Sequence, residues 1–221
     1  MARKPDTGST GSEAASIVAA VIPVPHISGA ELALSIALGI GLAAAVGLRV
    51  FLPMLVMSIA AFTGHLTLSS GFGWLATAPA LVMLSVAALL EILAYYIPGL
   101  DNLLDAIATP AALIAGTVVS AAVMTDLPPI IKWTTAVIAG GGAAGLTQGF
   151  TSLLRAKSTL TTAGLGNHLI ATGELGGALL LSLLALAAPL VAVGVLALLC
   201  WSAVHMTRRF LRHDRTAGDR A

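Results

Sequence analysis

Five long apolar segments, joined by short turn-forming stretches, limit what this chain can fold into. They run over residues 32–62, 79–97, 103–124, 130–154 and 175–204. Charged residues make up 10% of the chain, against roughly 25% in a typical soluble domain. A soluble core of this size cannot hide so much apolar surface, whereas bilayer hydrocarbon accommodates it. The sequence therefore predicts an all-α, polytopic transmembrane helix bundle with about five hydrophobic segments.

Segment length separates the first and fifth segments from the other three. A spanning helix needs about 20 residues, which suits one crossing for each of the middle three. The outer two have about 30 residues, too many for one upright helix and too few for two crossings. Pro53 and Pro189 each remove a backbone hydrogen bond, and Gly47 lies close to the first of them. We expect a break between Gly47 and Pro53 and a kink or break in the fifth segment.

The polar ends of the chain predict its domain limits. Residues 1–29 are expected to be a disordered tail, 30–207 the transmembrane domain and 208–221 a basic tail. Five arginines fall in the last fourteen residues: Arg208, Arg209, Arg212, Arg215 and Arg220. Basic residues directly after a membrane segment favour a cytoplasmic C-terminus. We expect the protein to lie in the cell membrane. The side of the N-terminus stays open, because Arg155 and Lys157, taken as loop charges, fit the positive-inside rule poorly with five crossings.

Small residues recur at four-residue spacing on three segments. They are Ser35, Gly39, Ala43 and Gly47; Gly141, Gly145 and Gly149; and Gly173 and Gly177. On a helix each set forms a smooth face that another backbone can approach closely. Tight packing within the chain, a homo-oligomer formed through these faces and a cavity lined by backbone all remain open at this stage.

Two charges lie within apolar segments, where an ionisable residue is costly and is a functional candidate. Arg49 lies in the middle of the first segment and Glu91 near the end of the second. One interpretation is a neutralising ion pair that fixes the helix register. The other is a gate coupled to a proton or another ion.

An acidic cluster of Asp101, Asn102 and Asp105 opens the third segment after the Pro98-Gly99 turn. Asp101 and Asp105 lie one helical turn apart, so both side chains can project from one face. A helix cap is one interpretation, and a cation or substrate site is the other.

Further polar candidates are Gln148 in the fourth segment and, in the loop predicted after it, His168 and Glu174 beside Asn167. We expect that loop to be solvated. The aromatic residues at segment ends, Trp74, Tyr95, Tyr96, Trp133 and Trp201, are typical of anchors at the membrane surface.

Signatures of known enzymes are missing from the sequence. The single cysteine, Cys200, lies in an apolar run, and the five histidines have no metal-ligand spacing. We expect no metal, no cofactor, no catalytic residue of a recognised type and no nucleic-acid partner. Membrane lipids are the expected partners, with a small ion or solute as a further one.

Several motifs resemble those of one protein family. They are the stretch GLRVFLP at 47–53, Glu91, the stretch IPGLDNLLD at 97–105, TPAA at 109–112 and Gly116. They are similar to bacterial membrane proteins grouped as domain of unknown function 4126, over residues 32–212. The family pattern has an arginine before the proline that here is Pro110, where this chain has Thr109. The resemblance implies a multi-pass protein of the bacterial inner membrane and adds weight to Glu91, Asp101 and Asp105, but it implies no activity.

Together these features favour a small transporter or channel-like protein for an ion or solute, gated near Arg49 and Glu91. A structural or accessory protein, such as an assembly factor or a lipid-organising scaffold, is the alternative. A lipid-modifying enzyme that uses Asp101 and Asp105 is a third.

Overall fold

A computed structural model describes residues 28–97, 100–125, 127–162 and 166–218, excluding the side chains of 100–105, 203–204 and 206–218. Within these ranges the chain is helical and contains no strand, which confirms the predicted fold class. The helices are α1 (Gly29–Val46), α2 (Phe51–Phe62), α3 (Ala78–Ala94), α4 (Leu100–Val123), α5 (Pro129–Thr135), α6 (Gly142–Thr162), α7 (Asn167–Ala187) and α8 (Pro189–Gly218). A 3₁₀ turn (Gly73–Ala76) precedes α3, and a π-helical segment (Ala136–Gly141) joins α5 to α6.

In the described part of the chain, three stretches are long and apolar enough to cross a membrane. They are Gly29–Val46, Ala106–Val123 and Asn167–Ala187, each with a mean hydropathy of 1.9. Phe51–Phe62, Ala78–Ala94 and Pro189–Ser202 are apolar but shorter. Length and composition therefore indicate that the protein associates with a membrane.

Helix α1 lies at the centre of the bundle. It packs against α4, α6, α7 and α8, and every residue from Gly41 to Gly47 is buried. Its lining is alanine and glycine, so the neighbouring backbones approach closely. A Cβ atom added to Gly39 would lie 2.7 Å from Ser120 Oγ, and one added to Gly47 would lie 2.3 Å from the carbonyl oxygen of Ala144. The small-residue face of the first segment thus packs inside the chain.

The predicted break in the first segment is present and separates α1 from α2. The backbone N–H groups of Gly47 and Arg49 still donate to Ala43 and Ala45, at 3.1 and 3.2 Å. The N–H groups of Val50 and Phe51 instead donate to the side chain of Glu91. Pro53 occupies the first turn of α2, where its missing N–H costs nothing.

The fifth segment is also broken, at Ala188, whose φ of −148° and ψ of 76° lie outside the helical region. Pro189 is the first residue of α8, as its fixed φ favours. A residue before proline is pushed out of the helical region, which explains the position of the break.

Two expectations about the region where α6 ends and α7 begins are wrong. Helix α6 continues to Thr162 instead of ending at Leu154, so Arg155 and Lys157 are helical. Helix α7 begins at Asn167, so His168 and Glu174 lie on it and not in a solvated loop. The error has a physical cause. A charged residue lowers the hydropathy and so suggests that a buried helix ends, whereas a charge that is paired can stay buried in the interior of a helix.

Candidate functional site

A cluster of charged side chains lies where α6 and α7 meet the break between α1 and α2. Arg49, Arg155 and Glu174 are 2%, 3% and 5% exposed. Arg155 donates from Nε to Glu174 Oε1 at 3.0 Å and from Nη2 to Glu174 Oε2, which forms a two-bond fork. Arg49 Nη2 lies 3.7 Å from the same Oε2. One carboxylate therefore binds two guanidinium groups.

Tyr95 contacts both arginines through its aromatic ring. The guanidinium carbon of Arg49 is 3.9 Å from the ring centroid, and that of Arg155 is 4.2 Å from it. Cations placed over an aromatic ring are attracted to its negative face, more strongly when water is excluded. Tyr95 is 8% exposed, so the interpretation of this residue as a membrane-surface anchor is wrong.

Glu91, on α3, is the second carboxylate near the two arginines. Its carboxylate oxygens accept hydrogen bonds from the backbone N–H groups of Val50 at 2.8 Å and Phe51 at 3.0 Å. The first N–H groups of a helix lack partners within the helix and carry a partial positive charge. Glu91 therefore caps α2 from another helix, on the two residues that follow Arg49. The ion partner of Arg49 is Glu174, while Glu91 binds the adjacent backbone.

Arg49 has hydrogen-bonding capacity left over. Its Nη2 donates to the carbonyl oxygen of Ala171 at 3.0 Å, but Nε and Nη1 are buried and have no hydrogen-bond partner among the described residues. Buried donors nearly always find an acceptor, and each exception calls for an explanation such as a water molecule or a bound group. Arg49 thus offers donors to a small acceptor.

An apolar cavity of about 580 Å³ lies beside the cluster, between α6, α7 and α8. Its apolar wall includes Leu48, Leu146, Phe150, Leu154, Ile170 and Leu196. Glu174 contributes a carboxylate to the described wall, and Thr147 and Thr151 add hydroxyl groups. Both hydroxyls donate to carbonyl oxygens of their own helix, Ala143 at 2.9 Å and Gln148 at 3.1 Å. The cavity thus meets the charge cluster at Glu174.

The remaining candidates lie elsewhere. Gln148 is buried and donates to Ser152 Oγ at 3.3 Å. His168 is exposed, with its ring 5.9 Å from that of Tyr96. Asp101, Asn102 and Asp105 belong to α4, but their side chains are outside the described part. Among the described residues, no group of three or more His, Cys, Asp or Glu side chains is arranged to hold a metal ion.

Arg155 and Tyr95 were not among the site residues predicted from the sequence. A signal for Arg155 was present, because Thr147, Thr151 and Arg155 recur every four residues and so form a polar stripe on α6. All three are buried. A polar stripe that continues past the end of an apolar segment indicates a longer helix with an interior polar face.

The comparisons with known proteins identify a family. Searches of the curated proteins and of the solved structures found no match to this chain. The model of a domain of unknown function (DUF4126) matches residues 36–209, which is most of the sequence. The chain belongs to the DUF4126 family, in agreement with the resemblance seen in its motifs.

Proposed function

We propose that this protein is a multi-pass membrane protein that carries a small solute and has a cytoplasmic C-terminus. The solute site is the cluster of Arg49, Glu91, Tyr95, Arg155 and Glu174, termed the charge cluster below. The observation that carries the proposal is the helix break at Arg49, a buried cation with two nitrogen atoms that lack partners.

Broken helices support this proposal because they leave backbone N–H and carbonyl groups available at their ends. Irregular backbone at membrane depth is tolerated where protein covers it or where it lines a water-filled cavity. In many transporter folds, the ends of half-helices form the site for substrate and coupling ion. Here the break presents the N-terminus of α2, and Glu91 occupies the N–H groups of Val50 and Phe51. A solute that competes for this position would couple its binding to the movement of Glu91.

The charge cluster is balanced, which supports a switching role. Arg49 and Arg155 carry two positive charges, and Glu91 and Glu174 carry two negative ones. Arg49 lies 3.7 Å from Glu174 and directly precedes the two residues whose N–H groups bind Glu91, so it can move from one carboxylate toward the other. Such an exchange lowers the cost of moving a charge within a medium of low polarity. We infer that this exchange opens and closes the site.

Accessibility to a water-soluble reagent from each side of the membrane tests the proposal. The experiment uses Thr151→Cys in a Cys200→Ser background, because Thr151 is 5% exposed and lines the cavity next to the charge cluster. A membrane-impermeant methanethiosulfonate reagent is added to right-side-out or to inverted vesicles. A carrier opens its site to both sides, so we expect labelling of Thr151→Cys in both preparations.

Two control positions calibrate this experiment. Ser182→Cys lies on α7 at a fully buried position away from the cavity, so we expect no labelling from either side. Ser70→Cys lies in the exposed turn between α2 and α3, so we expect labelling from one side. Labelling of Thr151→Cys from one side or from neither would contradict a carrier.

A structural role is the second candidate, and the close contacts between helices favour it. Gly39, Gly47, Gly116 and Gly140 all lie against atoms of other helices at distances that leave no room for a Cβ. Rigid packing of this kind suits an accessory protein or a lipid-organising scaffold. A scaffold gives no reason for the donors of Arg49 to lack partners, so we place it second.

A further inference from the structure

We propose that the cavity between α6, α7 and α8 binds a long-chain alcohol, with the hydroxyl group at Glu174 and the chain along the apolar wall. This inference rests on the proposed function, since it names the substrate class of the same site. It follows from the lining of the cavity, the acceptors at its polar end and the charge balance beside it.

The apolar wall sets the body of the ligand. The cavity volume of about 580 Å³ falls within the range of small-molecule sites, roughly 300–1,000 Å³. Several of its side chains, such as Leu146 and Leu199, are also exposed on the surface of the bundle. In a protein that associates with a membrane, that surface meets lipid, so a chain-like molecule can enter from the bilayer.

The head group must then supply the selectivity. Lipid tails are as apolar as leucine side chains, so moving an alkyl chain from the bilayer into the cavity gains little. A polar head gains more, because in the bilayer interior it has few hydrogen-bond partners. The ligand is therefore recognised at the polar end of the cavity.

That polar end favours a hydroxyl group. Thr147 and Thr151 donate their own protons to backbone carbonyls, so toward the cavity their oxygens act as acceptors, as does the Glu174 carboxylate. A hydroxyl group can donate to these acceptors and carries no charge of its own.

The charge balance excludes charged heads. An anionic head would face the carboxylate of Glu174, and a cationic head would compete with Arg49 and Arg155 for it. Either would add an unpaired charge to a cluster that already holds two charges of each sign. A neutral hydroxyl keeps the balance unchanged, which matters most where the surroundings are apolar.

The native cysteine reports whether the cavity is occupied. Cys200 is partly buried and lines the cavity, so a bound ligand covers it. The protein is placed in phosphatidylcholine nanodiscs with hexadecanol, and the rate of Cys200 alkylation by N-ethylmaleimide is followed by intact mass. At ten times its dissociation constant, the alcohol should slow alkylation roughly tenfold. Hexadecane, hexadecylamine and hexadecanesulfonate, at the same mole fraction, should leave the rate unchanged.

Two glycine variants on one helix separate binding from general effects on the membrane. Gly173 lines the cavity, Gly176 does not, and an added Cβ meets no atom within 4 Å at either position. Gly173→Leu should occupy the cavity and abolish the protection by hexadecanol. Gly176→Leu should retain it, with the same change in helix propensity.

Each outcome decides the matter. Protection by hexadecanol alone, lost in Gly173→Leu and kept in Gly176→Leu, supports the proposal. Equal protection by hexadecane, stronger protection by either charged amphiphile, or no protection by hexadecanol overturns it. The vesicle experiment is independent of this one. Protection without labelling of Thr151→Cys from both sides would keep the alcohol site and remove the carrier.

Discussion

Glu174 binds Arg155 through two parallel hydrogen bonds and thereby ties α7 to α6 inside the bundle. The residues lie 19 positions apart, and both are almost fully buried. A fork of this kind combines charge with fixed geometry, so it sets the rotation of both helices about their axes. It also holds Glu174 at the wall of the cavity and in reach of Arg49.

Removing the carboxylate charge should destabilise the protein strongly. Glu174→Gln leaves Arg155 and Arg49 buried without their anion, and breaking a buried pair costs about 3–5 kcal/mol. We expect a corresponding loss in the free energy of unfolding, measured by denaturation in detergent micelles. Lys157→Gln on the exposed side of α6 is the control and should change it by less than about 0.5 kcal/mol.

The double variant Arg155→Met with Glu174→Met sharpens this prediction. Replacing both members of a buried pair by apolar residues of similar size is often close to neutral. The double variant should therefore be more stable than Glu174→Gln alone. If it were the less stable of the two, the burial of an unpaired charge would not be the cause.

The ring of Tyr95 should matter more than its hydroxyl group. Its face lies within about 4 Å of two guanidinium carbons in a region that excludes water. Tyr95→Leu removes the ring and should lower the free energy of unfolding by about 2–4 kcal/mol, since a desolvated cation–π contact contributes about 2 kcal/mol. Tyr95→Phe keeps the ring and should cost about 1 kcal/mol, the size of one hydrogen bond. Equal losses in the two variants would show that the ring face contributes nothing.

Residue spacing and hydropathy predicted the all-helical fold class and the two helix breaks, because proline and glycine act locally. Pro53 lies in the first turn of α2 and Pro189 is the first residue of α8, and proline favours these positions whatever surrounds them. The selection of Arg49 as a candidate site residue also followed from local sequence, since a lone charge in an apolar segment needs a partner wherever it lies.

The partners themselves could not be predicted in this way. Arg155 and Tyr95 each look ordinary at the end of an apolar segment, and their place in the charge cluster depends on how α3, α6 and α7 pack. The capping of α2 by Glu91, 40 residues away, depends in the same way on tertiary contacts. A single sequence holds no direct signal of such contacts, which explains why Arg49 was matched with Glu91.

Glu91→Gln should impair the working cycle more than the fold. An amide oxygen can still accept one of the two N–H groups at the start of α2, so the stability loss should be about 1–2 kcal/mol, as for a weakened helix cap. The negative charge that would receive Arg49 is lost, so we expect Thr151→Cys to be labelled from one side of the vesicles at most.

Glu31→Gln is the matched control for this change. Glu31 also caps a helix through backbone N–H, at Ser28, but it is exposed and far from the charge cluster in sequence. It should leave labelling from both sides intact. Unchanged two-sided labelling in Glu91→Gln would remove Glu91 from the mechanism.

Two glycines of the four-residue pattern should respond to alanine in opposite directions. A Cβ at Gly47 would lie 2.3 Å from a backbone oxygen and 2.7 Å from Thr147 Cβ, so α1 and α6 must separate. Gly47→Ala should therefore cost about 1–3 kcal/mol, as overpacking does. Gly149 has no atom within 4 Å of an added Cβ, so Gly149→Ala should stabilise α6 by up to about 1 kcal/mol through helix propensity. Unfolding in micelles measures both. If Gly149→Ala were instead the more damaging variant, the exposed end of this pattern would contact a second copy of the chain, and the glycine face of α6 would be an interface between protomers.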